Sequence, residues 1–207
     1  MTRRGFTLIE VVVVVAIIAL LAGILTPLIF KYIDEANETR ALGDCRNIAT
    51  ALMLFHKDTG TWPYYNEEWR SGEARNADVD YLYGNMGDFP GFAAGAGSSW
   101  GTEGADMFFS LVTWGDNTWW YKPKSTMYGD GYGGPSILRH GWAGPYLPYI
   151  TDDPWGYKYL VSVNGFGPAG RNLSNFVWCL SAGPNFNVDT PAWSTNVRAD
   201  DIGYRAE

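Results

Sequence analysis

Histidine and cysteine are scarce in this chain, two of each in 207 residues, and basic residues never gather into a long run. Each scarcity removes a class of function. With only His56 and His140, the chain has no HExxH zinc helix, and it has no GxSxG nucleophile turn either. Cys45 and His56 would need proximity to act as a nucleophile pair, yet eleven residues of helix separate them by roughly 16 Å. No zinc set assembles from Cys45, Cys179 and two distant histidines. Asp152 and Asp153 adjoin Pro154 and read as turn formers rather than paired catalytic acids. The reading is therefore not an enzyme. A formal charge of −7 and the want of a basic stretch argue against nucleic acid as the main partner.

What the chain does have is a charge-free apolar run over residues 11–30, preceded by RRGFTLIE at 3–10. Such a run crosses roughly 30 Å of hydrocarbon as a helix. A secretory signal also begins with basic residues, but its apolar region is shorter and ends at a small-residue cleavage site. Here the only obvious cut point, after Gly5, precedes the apolar run, so cleavage there leaves an anchor on the mature protein. Arg3 and Arg4 have no cationic counterpart just beyond the run, where Lys31 is followed by Asp34 and Glu35. The positive-inside bias then keeps the N-terminus cytoplasmic and exports the rest. About 175 residues follow the anchor, enough for one modest domain. In an exported domain Cys45 and Cys179 have two readings, a disulfide joining helix to late strand or two buried thiols.

Periodicity predicts one long helix from Phe6 to about Asp58. It is apolar all round at first and one-sided after Lys31, where Leu42, Cys45, Ile48, Ala49, Leu52 and Phe55 recur at helical spacing. Gly60 and Pro63 end it. Gly23 and Pro27 lie inside, and proline removes one hydrogen bond and crowds the Gly23 carbonyl. That pair reads either as a tolerated kink or as a point of local unwinding. Residues 61–140 mix glycine-rich pieces with aromatics, among them Trp62, Trp69, Tyr81, Tyr83, Trp100, Trp114, Trp119 and Tyr128. A compact irregular subdomain is expected there, with a short helix over 104–114. Its rings either form its own core or present a binding surface. Residues 157–163 and 176–181 are rich in β-formers and predict adjacent antiparallel strands.

GFTLIE at 5–10 resembles the prepilin leader of the type IV pilin and type II secretion pseudopilin superfamily. Within that superfamily, GPYL at 144–147, DPWG at 153–156, SAGPN at 181–185 and DDI at 200–202 are similar to the major pseudopilin of type II secretion. The resemblance covers residues 1–60 and about 141–207. It implies an α+β, pilin-like fold, with a long N-terminal helix, membrane-spanning in its first half, packed on an antiparallel sheet and a large aromatic insertion between them. The expected organisation is a leader at 1–5, a transmembrane or filament-core helix at 6–30, its amphipathic continuation at 31–60, the insertion at 61–140, and a sheet with an acidic loop at 141–207.

By position, the resemblance implies cleavage after Gly5 and N-methylation of Phe6. It makes Glu10 an assembly carboxylate that pairs with the Phe6 amine of a neighbouring subunit, the other reading being a glutamate that merely reaches the membrane surface. It favours local unwinding at Gly23 and Pro27 when subunits pack. The implied role is that of a structural subunit, polymerising through its N-terminal helix in a secretion pseudopilus that drives protein export. The alternative is a type IV pilin or minor pilin, an adhesin binding through the aromatic insertion. The implied partners are further copies of the chain, minor pseudopilins, prepilin peptidase, an inner-membrane assembly platform and, before assembly, membrane lipid. The place is the bacterial inner membrane, with the C-terminal domain periplasmic. The resemblance also implies a calcium ion held by the Ala182 carbonyl, Asn185 and Asp200 or Asp201. Asn185 stands where the family usually has aspartate, and PAWSTNV at 191–197 replaces a glycine-rich stretch. Asp189 is a further candidate ligand that would compensate for the neutral amide, and the competing reading is a set of turn-capping carboxylates.

Overall fold

The structure, a computed structural model, describes residues 5–59, 63, 80–102, 104–107, 111–112, 143–162 and 177–206. It opens with α1, Leu8–Thr59, a single uninterrupted helix of 52 residues. The chain divides into two compact units, Met1–Thr39 and Arg40–Glu207, and α1 contributes to both. In the first unit the apolar side chains of residues 11–30 are exposed throughout. Pro27 lies inside α1 without ending it, and nothing lies within 4 Å of a Cβ built on Gly23.

In the second unit, residues 40–59 of α1 bury a stripe of Ala41, Cys45, Ile48, Ala49, Ala51, Leu52 and Phe55. The 3.6-residue repeat predicts most of this stripe, although Leu42 is only half-buried. A five-stranded sheet runs in the order β3 (Gly104–Asp106), β1 (Tyr81–Tyr83), β4 (Leu160–Ser162), β5 (Val177–Ser181) and β7 (Ile202–Ala206). Its ladders are antiparallel except for β1 and β3, which run parallel. A separate parallel pair joins β2 (Gly91–Phe92) to β6 (Asn187–Val188).

Strand residues alternate between two faces, and here both faces are covered. Val177 and Cys179 of β5, Val161 of β4 and Leu82 of β1 meet Cys45, Ile48, Leu52 and Phe55 of the helix. Trp178 and Leu180 of β5 and Leu160 of β4 turn to the opposite face. There they meet Trp100, Val188 and Ala192, with Tyr81 and Tyr83 alongside. The Trp100 indole N–H donates to the Thr190 carbonyl at 2.8 Å, so its one polar group is satisfied in the core.

Two expectations need correction. Residues 104–106 form strand β3 beside β1 rather than the start of a helix; further on, among the described residues, Leu111 is helical and its N–H donates to the Met107 carbonyl at 2.9 Å. Residues 81–106 are not a self-contained insertion, because β1 and β3 belong to the main sheet and Trp100 fills its second face. Beyond Asp201 the chain forms edge strand β7, paired with β5 from Ser181–Ile202 to Val177–Ala206. The antiparallel pairing of β4 and β5 is as predicted, with β4 starting at Leu160 rather than Tyr157. Cys45 and Cys179 are free thiols, buried side by side between helix and sheet, which is the second of their two readings. Burial pushes the Cys179 thiol up, and its hydrogen bond with Cys45 adds to the effect. Trp62, Trp69, Trp114, Trp119, Tyr128 and His140 lie outside the described residues.

Leu52 is fully buried against the sheet, whereas Leu54, two residues on, is exposed. Leu52→Ala should destabilise the protein by about 2–5 kcal/mol through lost transfer energy and a residual cavity. Leu54→Ala should cost no more than about 0.5 kcal/mol. Chemical denaturation of the two variants beside the wild type checks the contrast.

Candidate functional site

Two places carry the predicted site residues. The first is the head of α1. Gly5, Phe6 and Thr7 precede the helix in irregular backbone, and Gly5 has open space around it. Glu10 Oε2 accepts hydrogen bonds from the Thr7 backbone N–H at 2.8 Å and the Thr7 hydroxyl at 2.6 Å. The Glu10 N–H donates back to Thr7 Oγ1 at 3.4 Å. This reciprocal arrangement is a capping box, in which a threonine and a glutamate three residues later satisfy helix-end donors. Thr7, which the expectations for Glu10 do not include, is marked in the sequence by the T-x-x-E spacing of such a box. Further along, the Thr26 hydroxyl donates to the Ala22 carbonyl at 2.7 Å, one residue before the proline that withdraws its own donor.

The second place is the turn at the end of β5 and the acidic loop beyond it. Asp153, buried, accepts the N–H groups of Trp155 at 3.0 Å and Tyr157 at 2.8 Å on Oδ1. Its Oδ2 accepts the Ser181 hydroxyl at 2.6 Å. DPWG is therefore a turn tied to the last residue of β5, and Asp153 is the turn former the sequence predicts. Ser181 Oγ in turn accepts the Gly183 N–H at 3.2 Å. Gly183 has φ +66°, and a Cβ there would collide with the Asp200 carbonyl, so glycine is required on both counts.

The acidic residues split into two sets. Asp200 Oδ2 accepts the Asn185 backbone N–H at 2.9 Å. The Asn185 side-chain amide donates both to Asp200 Oδ1 and to Asp189 Oδ2, the latter at 2.8 Å. Asp201 faces elsewhere: its Oδ2 accepts the N–H groups of Asp189 at 2.9 Å and Thr190 at 2.6 Å. Its Oδ1 is buried with no partner among the described residues. Burial pushes the Asp201 carboxyl up to about 6, against the lowering effect of its hydrogen bonds from Thr190 and Asp189.

These donors do not fit a calcium site. Among the described residues no group of three or more His, Cys, Asp or Glu side chains is arranged to hold a metal. The amide nitrogen of Asn185 stands between the Asp189 and Asp200 carboxylates, where the cation would need an oxygen. The amide is not free to turn over, since its Oδ1 accepts the Asn187 N–H at 2.7 Å and a flip would set donor against donor. Of the five expected ligands, Asn185, Asp189 and Asp200 come together and Asp201 does not, while Ala182 is a buried residue just before the 3-10 turn Gly183–Asn185.

One contact between helix and sheet had no signal in the sequence. The Tyr159 hydroxyl donates to Asp44 Oδ2 at 2.9 Å, pinning the helix to β4's approach, and burial holds that phenol well above its usual range. Asp44, Ile48, Leu147, Ile150 and Tyr159 line a shallow groove of about 150 Å³, too small for a sizeable ligand.

A raised carboxyl has a signed consequence. Asp201 titrates at about 6 in the folded protein and near ~3.9 unfolded, so folding favours its protonated form. Its stabilising contribution is complete below about pH 4 and is lost as pH rises through about 6. Asp201→Asn should flatten the fall in melting temperature that wild type shows between those limits, as thermal melts at stepped pH will reveal.

Comparison with known proteins bears on the first place. Residues 1–26 match the family model described as the prokaryotic N-terminal methylation motif. Type II secretion system core protein G of Pseudomonas aeruginosa is 42% identical over 61 residues, 30% of this chain and 43% of that protein. Its counterpart in Escherichia coli is 32% identical over 65 residues, 31% of this chain and 45% of that protein. A fimbrial protein of Neisseria meningitidis is 30% identical over 81 residues, 39% of this chain and 46% of that protein. The chain thus spans less than half the length of these curated relatives. No solved structure matches. This chain carries the prokaryotic N-terminal methylation motif at residues 1–26, and over about 60 residues it is similar to type II secretion system core protein G.

Proposed function

We propose that the chain is a structural subunit of a type II secretion pseudopilus, held in the inner membrane by α1 until it polymerises. The observation that carries this is the join of the methylation motif, residues 1–26, to a helix long and apolar enough to cross a membrane. In this reading prepilin peptidase cuts the peptide bond after Gly5, and the freed Phe6 amine is methylated. Arg3 and Arg4 keep the N-terminus cytoplasmic, and the unit Arg40–Glu207 is periplasmic. Lipid, then the apolar helices of other copies at an assembly platform, covers residues 11–30; minor pseudopilins join the same filament.

Glu10 is the residue on which assembly turns. A carboxylate at the centre of a bilayer costs about 2.5–3.5 kcal/mol, and one nearer the edge costs less but still gains from a partner. In the single chain Thr7 supplies two hydrogen bonds. In the filament the Phe6 amine of a neighbour supplies an opposite charge, and Gly23 and Pro27 let the helix loosen where copies crowd. A surface pilus subunit is the second reading, favoured by the fimbrial protein among the relatives. Secretion of a reporter lost on deletion, with no loss of surface fibres, selects the first.

Gly5→Val should leave an unprocessed, membrane-inserted precursor, because a side chain beside the scissile bond closes a narrow peptidase site. Mass spectrometry of the wild-type mature chain should begin at N-methylated Phe6; a start beyond residue 20 would sink the reading. Glu10→Ala should be cut and inserted normally yet lower filament yield by on the order of tenfold or more, since a buried amine would lack its partner. Pelleting of sheared filaments measures it, and normal yield would leave Glu10 an ordinary interfacial residue.

A further inference from the structure

The acidic loop that follows β5 contains a conflict and a resolution. Asp189 and Asp200 point their carboxylates at one spot, and like charges at close range repel unless something positive or hydrogen-donating stands between them. That spot holds the Asn185 Nδ2 group, whose two hydrogens go one to each carboxylate. The rest of Asn185 is committed as well. Its backbone N–H donates to Asp200 Oδ2, its side-chain oxygen accepts the Asn187 N–H, and its backbone carbonyl accepts the Asn187 amide at 3.0 Å. Phe186, at φ 67°, makes the left-handed step that brings Asn187 back beneath Asn185, and its ring stacks on Tyr157 at 5.0 Å. One residue thus cross-links the 3-10 turn Gly183–Asn185, the segment after β6 and the approach to β7.

We infer that the Asn185 amide is an internal substitute for a bound cation, so that the loop folds without calcium. A planar amide fits this post because it offers two donors in one direction and an acceptor in the other. It brings no charge, requires no ion from solution, and is pre-positioned by the turn that carries it. Asp201 strengthens the frame from outside the cluster by holding the N–H groups of Asp189 and Thr190. The carboxylates stay in place through donors the chain itself provides.

A corollary is that one substitution exchanges the amide for a demand for metal. Asn185→Asp puts a third carboxylate against Asp189 and Asp200, removing both donors and giving the oxygen-only set that calcium prefers. The test uses the full-length protein in detergent micelles, melted in excess chelator or in calcium chloride. Wild type should melt at the same temperature in both. Asn185→Asp should melt lower in chelator and recover by roughly 5–10 °C when calcium is about a hundredfold above its dissociation constant. Asn185→Leu, similar in size and without donors, should melt below wild type equally in chelator and calcium. A calcium-dependent rise in the wild type overturns the inference, as does an Asn185→Leu protein as stable as wild type. Should Asn185→Asp not fold, those two arms still decide.

Discussion

Strand β5 has no free side. Helix residues cover one of its faces, the Trp100 cluster covers the other, and β4 and β7 occupy its two edges. All five residues from Val177 to Ser181 are buried as a result. A strand in that position tolerates only side chains that are apolar or internally bonded, and VWCLS satisfies the rule residue by residue. Trp178 is the widest of them, and its indole N–H escapes the polarity penalty by donating to the Ser194 carbonyl at 2.8 Å. Ser181, at the last position, donates to Asp153 and accepts from Gly183.

That last hydroxyl transmits order beyond the sheet. Because Ser181 is fixed, Asp153 is fixed, and the DPWG turn inherits its place from the end of β5. Because Gly183 is bonded to the same oxygen, the chain leaves β5 in a single direction and enters the 3-10 turn that presents Asn185. Gly183 then allows the Asp200 backbone to approach as no other residue would. The acidic loop is thus an extension of the core through a short relay of hydrogen bonds, which presents the Asn185 amide to the Asp189 and Asp200 carboxylates.

The sequence disclosed those parts that repeat. A 3.6-residue stripe is visible from Cys45 to Phe55, and a run of β-formers between glycine and asparagine is visible at β4 and β5. Strands β1 and β3 have three residues each and lie among glycines and aromatics, too short for a period of two to declare itself. β7 follows a pair of aspartates and contains Gly203, signals that ordinarily mark a loop; pairing with the buried β5 outweighs them. At the head of α1 the spacing of Thr7 and Glu10 was fully legible as a cap, but a carboxylate beside an apolar run draws attention first. The amide of Asn185 was not legible at all. Whether it faces a cation or replaces one depends on which way its plane turns, and the Asn187 N–H two residues later sets that.

The two units of the chain solve the hydrophobic problem by different means. Within Arg40–Glu207 the apolar side chains find each other, from Leu52 and Phe55 on the helix to Val177 and Cys179 on the strand. Within Met1–Thr39 they cannot, because a lone helix has no second element to pack against: Ile18, Leu20, Ile24 and Phe30 are all more than half exposed. Apolar surface of that extent is unfavourable in water by about 25 cal/mol for every Å² left wet. Helical hydrogen bonds satisfy the backbone except where Pro27 has no N–H to donate, so the main remaining requirement is for apolar surroundings, and lipid or a bundle of identical helices meets it equally well. The equivalence allows such a segment to pass from one environment to the other at small net free energy. Selectivity between them must then come from the few polar groups at its head, where Thr7 and Glu10 already hold each other.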